Sequence, residues 1–311
     1  MKKILLSNGL EVSEVALGAM LFGTATSKED AYRVLDTYVD MGGTFLDTSN
    51  NYAHWLGTGD ESETLLGQWL RERKCRDSVV IATKVGFDRH GSGAGLKKEQ
   101  ITHWVEESLR KLGTDYIDLY YAHTDDISTP LEETMTSFDH LVRQGKVRTL
   151  GASNFDTWRL AEANLLAKEQ GMTPYTVMQQ RLTYLYPKAS TAPAYTFNEI
   201  TNRERLRFLS QKDMPLVSYS CLCKGAYENP ERLPAEYEGG TRLAFLRDMA
   251  SQKGVSPSAL VVAWLTNLHR LEGYPRVIPL FSATAEHLKE NLRGLSLSLS
   301  DEELRQMNEA K

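Results

Sequence analysis

Short apolar, β-rich runs alternate along almost the whole chain with segments whose apolar residues recur every three or four positions. Ile4–Leu6 and Glu11–Val15, joined at Asn8-Gly9, predict a β-hairpin. Strand-like runs then recur at Val15–Leu17, Thr44–Leu46, Val79–Ala82, Ile117–Tyr121, Val147–Gly151, Val177–Gln179, Leu216–Tyr219 and Val277–Pro279, eight after the hairpin. Helical patterns lie between them. Ser27 opens one, with Ala31, Val34, Leu35 and Tyr38 on a single face. Thr102, Val105 and Leu109 line another, and Pro130 opens a third. Ser300 and Glu303 form a capping-box pattern for a last helix over Asp301–Asn308.

Eight strand–helix units in one chain without a low-complexity linker predict an α/β fold, a closed (β/α)8 TIM barrel forming a single domain over residues 1–311. The hairpin is expected to plug its bottom, and the last helix is extra. The rival is an open, doubly wound sheet. It would place a G-x-G-x-x-G turn after the first strand, where the chain reads Leu17-Gly18-Ala19-Met20 instead.

Composition removes other classes. With 311 residues, 41% apolar and 25% charged, the chain is an ordinary globular one. A net charge of -5 argues against an electrostatic nucleic-acid surface. The basic group Arg71, Arg73, Lys74 and Arg76 is broken by acids and reads as an exposed helix end. The apolar part of Met1–Leu6 is too short for a secretory signal, and no run is long enough to span a bilayer. A cytoplasmic protein without membrane or nucleic-acid partners is expected. Cys75 stands alone and Cys221 and Cys223 are two apart, a poor spacing for a disulfide. Neither the cysteines nor the histidines cluster as metal ligands, so no metal is expected.

Four polar residues fall at the ends of three of these strands: Asp47 and Tyr52 in FLDTSNNY, Lys84 in VVIATKVG and His123 in DYIDLYYAH. In such a barrel the site lies at the C-terminal strand ends. A tyrosine hydroxyl with a pKa of ~10 is a poor acid at neutral pH. A lysine ammonium beside it favours the phenolate, an aspartate can hold the lysine, and a histidine can bind a substrate oxygen. Each residue alone has an ordinary structural reading; four together at matching strand ends point to protonation of an alkoxide as a carbonyl is reduced.

The chain resembles the aldo-keto reductase superfamily over nearly its full length. The hairpin KKILLSNGLEVSEVALG carries the likeness, as do GGTFLDTSNNY, GDESETLLGQWL, VVIATKVG, VEESLRKLGTDYIDLYYAH, GKVRTLGASNF, LVSYS and EHLKENL. The resemblance implies that Asp47, Tyr52, Lys84 and His123 are the catalytic tetrad. It implies an NADP(H) or NAD(H) cofactor held without a Rossmann domain. Ser153, Asn154 and Gln179 match the carboxamide contacts, with Gln180 adjacent to the last. Tyr219 matches the aromatic that stacks on the nicotinamide. Ser220, Leu222 and Lys224 align with the loop over the pyrophosphate, and Ser282, Thr284, His287, Glu290 and Asn291 with the adenosine end. The plain alternative for Ser153-Asn154 is a cap for the helix that follows.

Two departures stand out. Cys221 replaces a frequent proline after the stacking aromatic. Leu280–Glu286 contains no basic residue, and His287 stands where relatives carry arginine. Neutral histidine is a weaker phosphate ligand than arginine, so NADH is a plausible cofactor. His54 and Trp55 after Tyr52, and Tyr184, Tyr186 and Tyr195 in a long tyrosine-rich connection, are candidate substrate contacts. No long C-terminal tail follows the last helix, so an open pocket for sugars or aryl carbonyls is expected. The substrate is thus a small carbonyl compound or alcohol. Two rival readings are a regulatory subunit of the potassium-channel β-subunit type and a barrel with unrelated isomerase chemistry. The oligomeric state is not legible.

Overall fold

A computed structural model of the chain describes residues 1–6, 9–87, 95–188 and 200–310. Asn8 of the expected hairpin turn and Tyr195 lie outside the described residues. The hairpin pairs β1 (Lys3–Leu5) antiparallel with β2 (Glu11–Ser13), Ile4 opposite Val12. Eight further strands follow: β3 (Ala16–Gly18), β4 (Phe45–Asp47), β5 (Val80–Val85), β6 (Ile117–Ala122), β7 (Val147–Ser153), β8 (Tyr175–Arg181), β9 (Leu216–Tyr219) and β10 (Val277–Phe281). Their order is β10-β3-β4-β5-β6-β7-β8-β9 in a closed barrel. The helices between and after them are α1 (Lys28–Asp40), α2 (Glu61–Arg73), α3 (Lys98–Leu112), α4 (Leu131–Arg143), α5 (Thr157–Gln170), α6 (Arg203–Gln211), α7 (Gly240–Lys253), α8 (Pro257–Asn267), α9 (Ala285–Leu292) and α10 (Asp301–Glu309). The expected (β/α)8 barrel with a hairpin and an extra last helix is therefore the fold.

The chain divides into two compact units, Lys2–Met178 and Gln179–Lys311 with Met1, the boundary falling inside β8. In the first, β3 through β7 pair in parallel; Leu46 lies between Leu17 and Ile81, and Leu119 between Ala82 and Thr149. These strands are buried on both faces, which is why they read as continuous apolar runs. The hairpin sits at the N-terminal end of β4, where the Ser13 hydroxyl oxygen accepts the Thr44 and Phe45 amides. In the second unit β9 and β10 pair in parallel, Val217 opposite Ile278.

The helix starts follow local chemistry. Ser27 caps α1 through Asp30, and Ser300 and Glu303 close the capping box of α10. Tyr32, Ala31, Val34, Leu35 and Tyr38 form the buried stripe of α1. The face expected for α3 is corrected by one residue: Thr102 is exposed and Ile101 takes its place beside Val105 and Leu109. Three to four positions separate these buried residues, so the period held and only its phase moved. Arg71, Arg73 and Lys74 are exposed at the end of α2 as expected, whereas Arg76 is half-buried on Asp118. Among the described residues, no helix is long and apolar enough to cross a membrane, and no His, Cys, Asp and Glu group could hold a metal ion.

Candidate active site

All four candidate catalytic residues lie in the unit formed by residues 2–178, three of them at strand ends and Tyr52 in the turn after β4. Asp47 ends β4, Lys84 is the penultimate residue of β5, and His123 follows β6 directly. Asp47 and Lys84 are fully buried. Lys84 Nζ donates to Asp47 Oδ1 at 2.5 Å, to the Thr48 carbonyl at 2.7 Å and to the Tyr52 hydroxyl oxygen at 2.7 Å. The Tyr52 hydroxyl donates to Asp47 Oδ1 at 3.0 Å. Burial pushes the Lys84 pKa below the ordinary lysine value, and Asp47, followed by Glu63, opposes it. Tyr52 and His123 meet edge to face, ring centroids 5.9 Å apart. Burial, with Lys84 nearby, holds the His123 pKa well below the ordinary value, so the imidazole is neutral at physiological pH. Its Nδ1 faces the Ser49 hydroxyl at 3.1 Å.

Four neighbours were not singled out from sequence. Phe87 packs edge to face on His123 at 4.4 Å, and buried Ser49, Asn50 and Asn51 line the turn into Tyr52. An aromatic just after a strand-ending glycine, and a polar run after an apolar strand, were the available signals. His54 is half-buried and edge-on to Trp55 at 5.3 Å; Trp55 is 59% exposed.

Ser153 is buried at the end of β7, and Asn154 follows it at φ 55° in the left-handed region. Asn154 Nδ2 donates to the His123 carbonyl and to the Ser153 hydroxyl, both at 2.9 Å. Neither residue caps the next helix, because Asp156 occupies that position. Along β8, Tyr175 packs on Phe138 of α4 and on Phe155, whereas Thr176 meets Thr149 of β7 at 3.2 Å. Alternation along the strand puts Gln180 on the face of Thr176, and Gln179 on that of Tyr175. Both glutamines are buried at the end of β8.

In the unit of residues 179–311, Tyr219 ends β9 half-buried, and burial raises its pKa despite Arg181 and Arg205. Ser220, Cys223 and Lys224 follow at φ 54°, 44° and 55°, a concentration of left-handed non-glycine residues that costs energy. Ser220 and Lys224 are exposed, and Leu222 is buried. Such a polar, strained turn directly after a half-buried aromatic fits a nicotinamide nucleotide. Ser282 and His287 are exposed, Thr284 caps α9 and Asn291 is buried. Glu290 is engaged by Arg293 at 3.1 Å. Tyr186 is 58% exposed, but Tyr184 is fully buried, its ring edge-on to Trp264 at 5.3 Å. Tyr184 belongs to the core rather than to a substrate surface, because the apolar side of α8 covers it.

A sequence model of the Aldo/keto reductase family matches residues 14–311. The chain belongs to this family. The norsolorinic acid reductase stcV of Emericella nidulans is 33% identical to this aldo/keto reductase, over 95% of the chain and 77% of the relative. The aryl-alcohol dehydrogenase (NADP+) of Phanerodontia chrysosporium is 30% identical over 97% of the chain and 83% of the relative. The crystal structure of a thermostable aldo-keto reductase with the inhibitor epalrestat superposes with a TM-score of 0.76 at 26% identity, covering 99% of both chains. The protein is an NAD(P)H-dependent oxidoreductase that interconverts carbonyl compounds and alcohols.

Proposed function

We propose that Tyr52 is the general acid of a reductase for aryl carbonyl compounds, run in reverse as an alcohol dehydrogenase. The carrying observation is the buried Lys84–Tyr52–Asp47 cluster beside a neutral His123. The bound nicotinamide supplies the hydride in reduction and accepts it in oxidation. Tyr52 rests with its proton on Asp47 and its oxygen accepting from Lys84. Turning that hydroxyl onto the carbonyl oxygen delivers the proton, and Lys84 and Asp47 remain bound to each other as the phenolate forms. The Ser49 hydroxyl donates its one proton to Asn51 Oδ1 at 2.9 Å, so the neutral His123 rests with its proton on Nδ1, donating to Ser49, and a donation from Nε2 to the substrate oxygen requires the other tautomer.

In residues 2–178, Ser153 and Asn154 would hold the carboxamide. In residues 179–311, Tyr219 would stack on the nicotinamide and the turn of Ser220, Leu222 and Lys224 would cover the pyrophosphate. Ser282, His287 and Asn291 would meet the adenosine end. Phe87 on the His123 ring and the His54–Trp55 pair in the turn after Tyr52 would supply aromatic surface for an aryl substrate. Two of the relatives are named for aryl alcohols or norsolorinic acid. The absence of a basic side chain from Leu280–Glu286 favours weak discrimination against NADH. A hundredfold preference for NADPH would contradict that part.

The test is Tyr52→Phe. Turnover of an aryl aldehyde should fall by a factor of roughly 10² or more with nicotinamide affinity unchanged. Unchanged turnover would exclude Tyr52 as the acid.

A further inference from the structure

The first turn of α2, Glu61-Ser62-Glu63 with Asp60 before it, carries more buried polar chemistry than a helix start requires. Glu61 accepts the Thr58 and Gly59 amides and so fastens the loop that bears Trp55. The Ser62 hydroxyl donates to the Ala19 carbonyl at 2.8 Å, so the Thr48 hydroxyl must donate to Ser62, at 2.7 Å. Thr48 is the residue whose carbonyl accepts Lys84. Glu63 is fully buried: Oε1 accepts from the Thr83 hydroxyl at 2.6 Å, and Oε2 faces Lys111 Nζ at 3.3 Å. Lys111, itself buried, also pairs with Asp60 at 2.5 Å. Gly67 makes this approach possible, since a Cβ there would lie 2.1 Å from the Lys111 carbonyl.

Thr83 and Lys84 are neighbours on β5 and point to opposite faces. Lys84 therefore has Asp47 on one side of the strand and Glu63 on the other. A buried ion pair is seldom worth more to stability than apolar packing of the same volume. The mechanism as derived makes no use of this one.

We propose that Glu63 is a positioning residue for the proton transfer: with Lys111 as its counter-ion, it forms a second charged layer behind β5 that fixes the strand carrying Lys84 and sets the balance of charge behind Tyr52. The proposal rests on the acid role of Tyr52. Thr83 of β5, Lys111 of α3, Tyr120 of β6 and Lys84 face Glu63. Lys84 is faced by Asp47 and Tyr52 and, from β6 and its end, by the Tyr121 ring and His123. Lys111 is faced by Asp60 and by the Trp104 ring at 5.6 Å.

The sign of the effect separates an electrostatic role from a merely structural one. Glu63→Gln removes a negative charge from behind Lys84 and leaves Lys111 paired with Asp60 alone, which favours the Tyr52 phenolate. Lys111→Met leaves Glu63 unbalanced and disfavours it. The experiment is the pH profile of kcat for aryl-aldehyde reduction by the wild type and both variants, with thermal melting of each. The alkaline limb should move down by about half a unit or more in Glu63→Gln and up in Lys111→Met. Shifts in the same direction, or lowered melting temperatures with unshifted limbs, would overturn the proposal. If Glu63→Gln does not fold, an unshifted limb in Lys111→Met has the same consequence. A wild-type protein without reductase turnover would overturn the functional reading and this one with it. Failure confined to the variants would leave the functional reading intact.

Discussion

The proposed proton-handling residues in 2–178 and the proposed nucleotide-handling residues in 179–311 are built on opposite principles. Asp47 and Lys84 have no exposed surface, and every donor of the Lys84 ammonium is taken. Ser220, Lys224, Ser282 and His287 are exposed, and two of them stand in the left-handed backbone region. Proton transfer needs charges taken out of water, because their interactions strengthen as the surroundings become less polar. Such charges must be closely paired, and pairing demands a rigid frame of adjacent strands. A nucleotide can be met by backbone turns and surface side chains, so that region stores its specificity in loop shape.

The contrast can be broken most sharply at Lys84. Lys84→Met leaves the Asp47 carboxylate buried without its cation. Stability should fall by about 3–5 kcal/mol and turnover by a factor of about 10³, read from denaturant melts and kcat. Stability retained with activity lost would mean that the charges do not hold this region. On the other side, His287→Arg should raise the preference for NADPH over NADH about tenfold, equivalent to ~1.4 kcal/mol, in paired binding titrations. An unchanged ratio would remove His287 from the nucleotide site.

Acid titration gives a smaller effect. The His123 pKa is lowered in the folded protein, so the unfolded chain takes up a proton that the folded one refuses. This contribution is constant above the ordinary histidine value of about 6.5 and removes stability as pH falls below it, by at most about 1.4 kcal/mol per pH unit. Denaturant midpoints between pH 7.5 and 5.5 should show that slope, and His123→Gln should flatten it. Smallest of all, Lys224→Gly relieves a left-handed lysine at φ 55° and should raise stability by about 0.5–1 kcal/mol in thermal melts. A loss instead would mean that side-chain contacts, not strain, dominate the turn.

The succession of strands and helices, the hairpin and the positions of Asp47, Tyr52, Lys84 and His123 at or just after strand ends were determined by the sequence itself. Buried parallel strands write themselves as apolar runs, and the site of a barrel sits where those runs stop. The tertiary structure alone decided which face a side chain takes and what it meets there. Gln179 and Gln180 are indistinguishable as letters, but Tyr175 packing on Phe138 assigns their faces. Tyr184 reads like Tyr186, yet Trp264, 80 positions on, buries it. Glu63 and Lys111 look like surface charges on two amphipathic helices until Gly67 lets those helices approach. Local propensity is a property of neighbours in sequence, whereas desolvation and pairing are set by residues far apart in it, and those contacts exist only once the chain has folded.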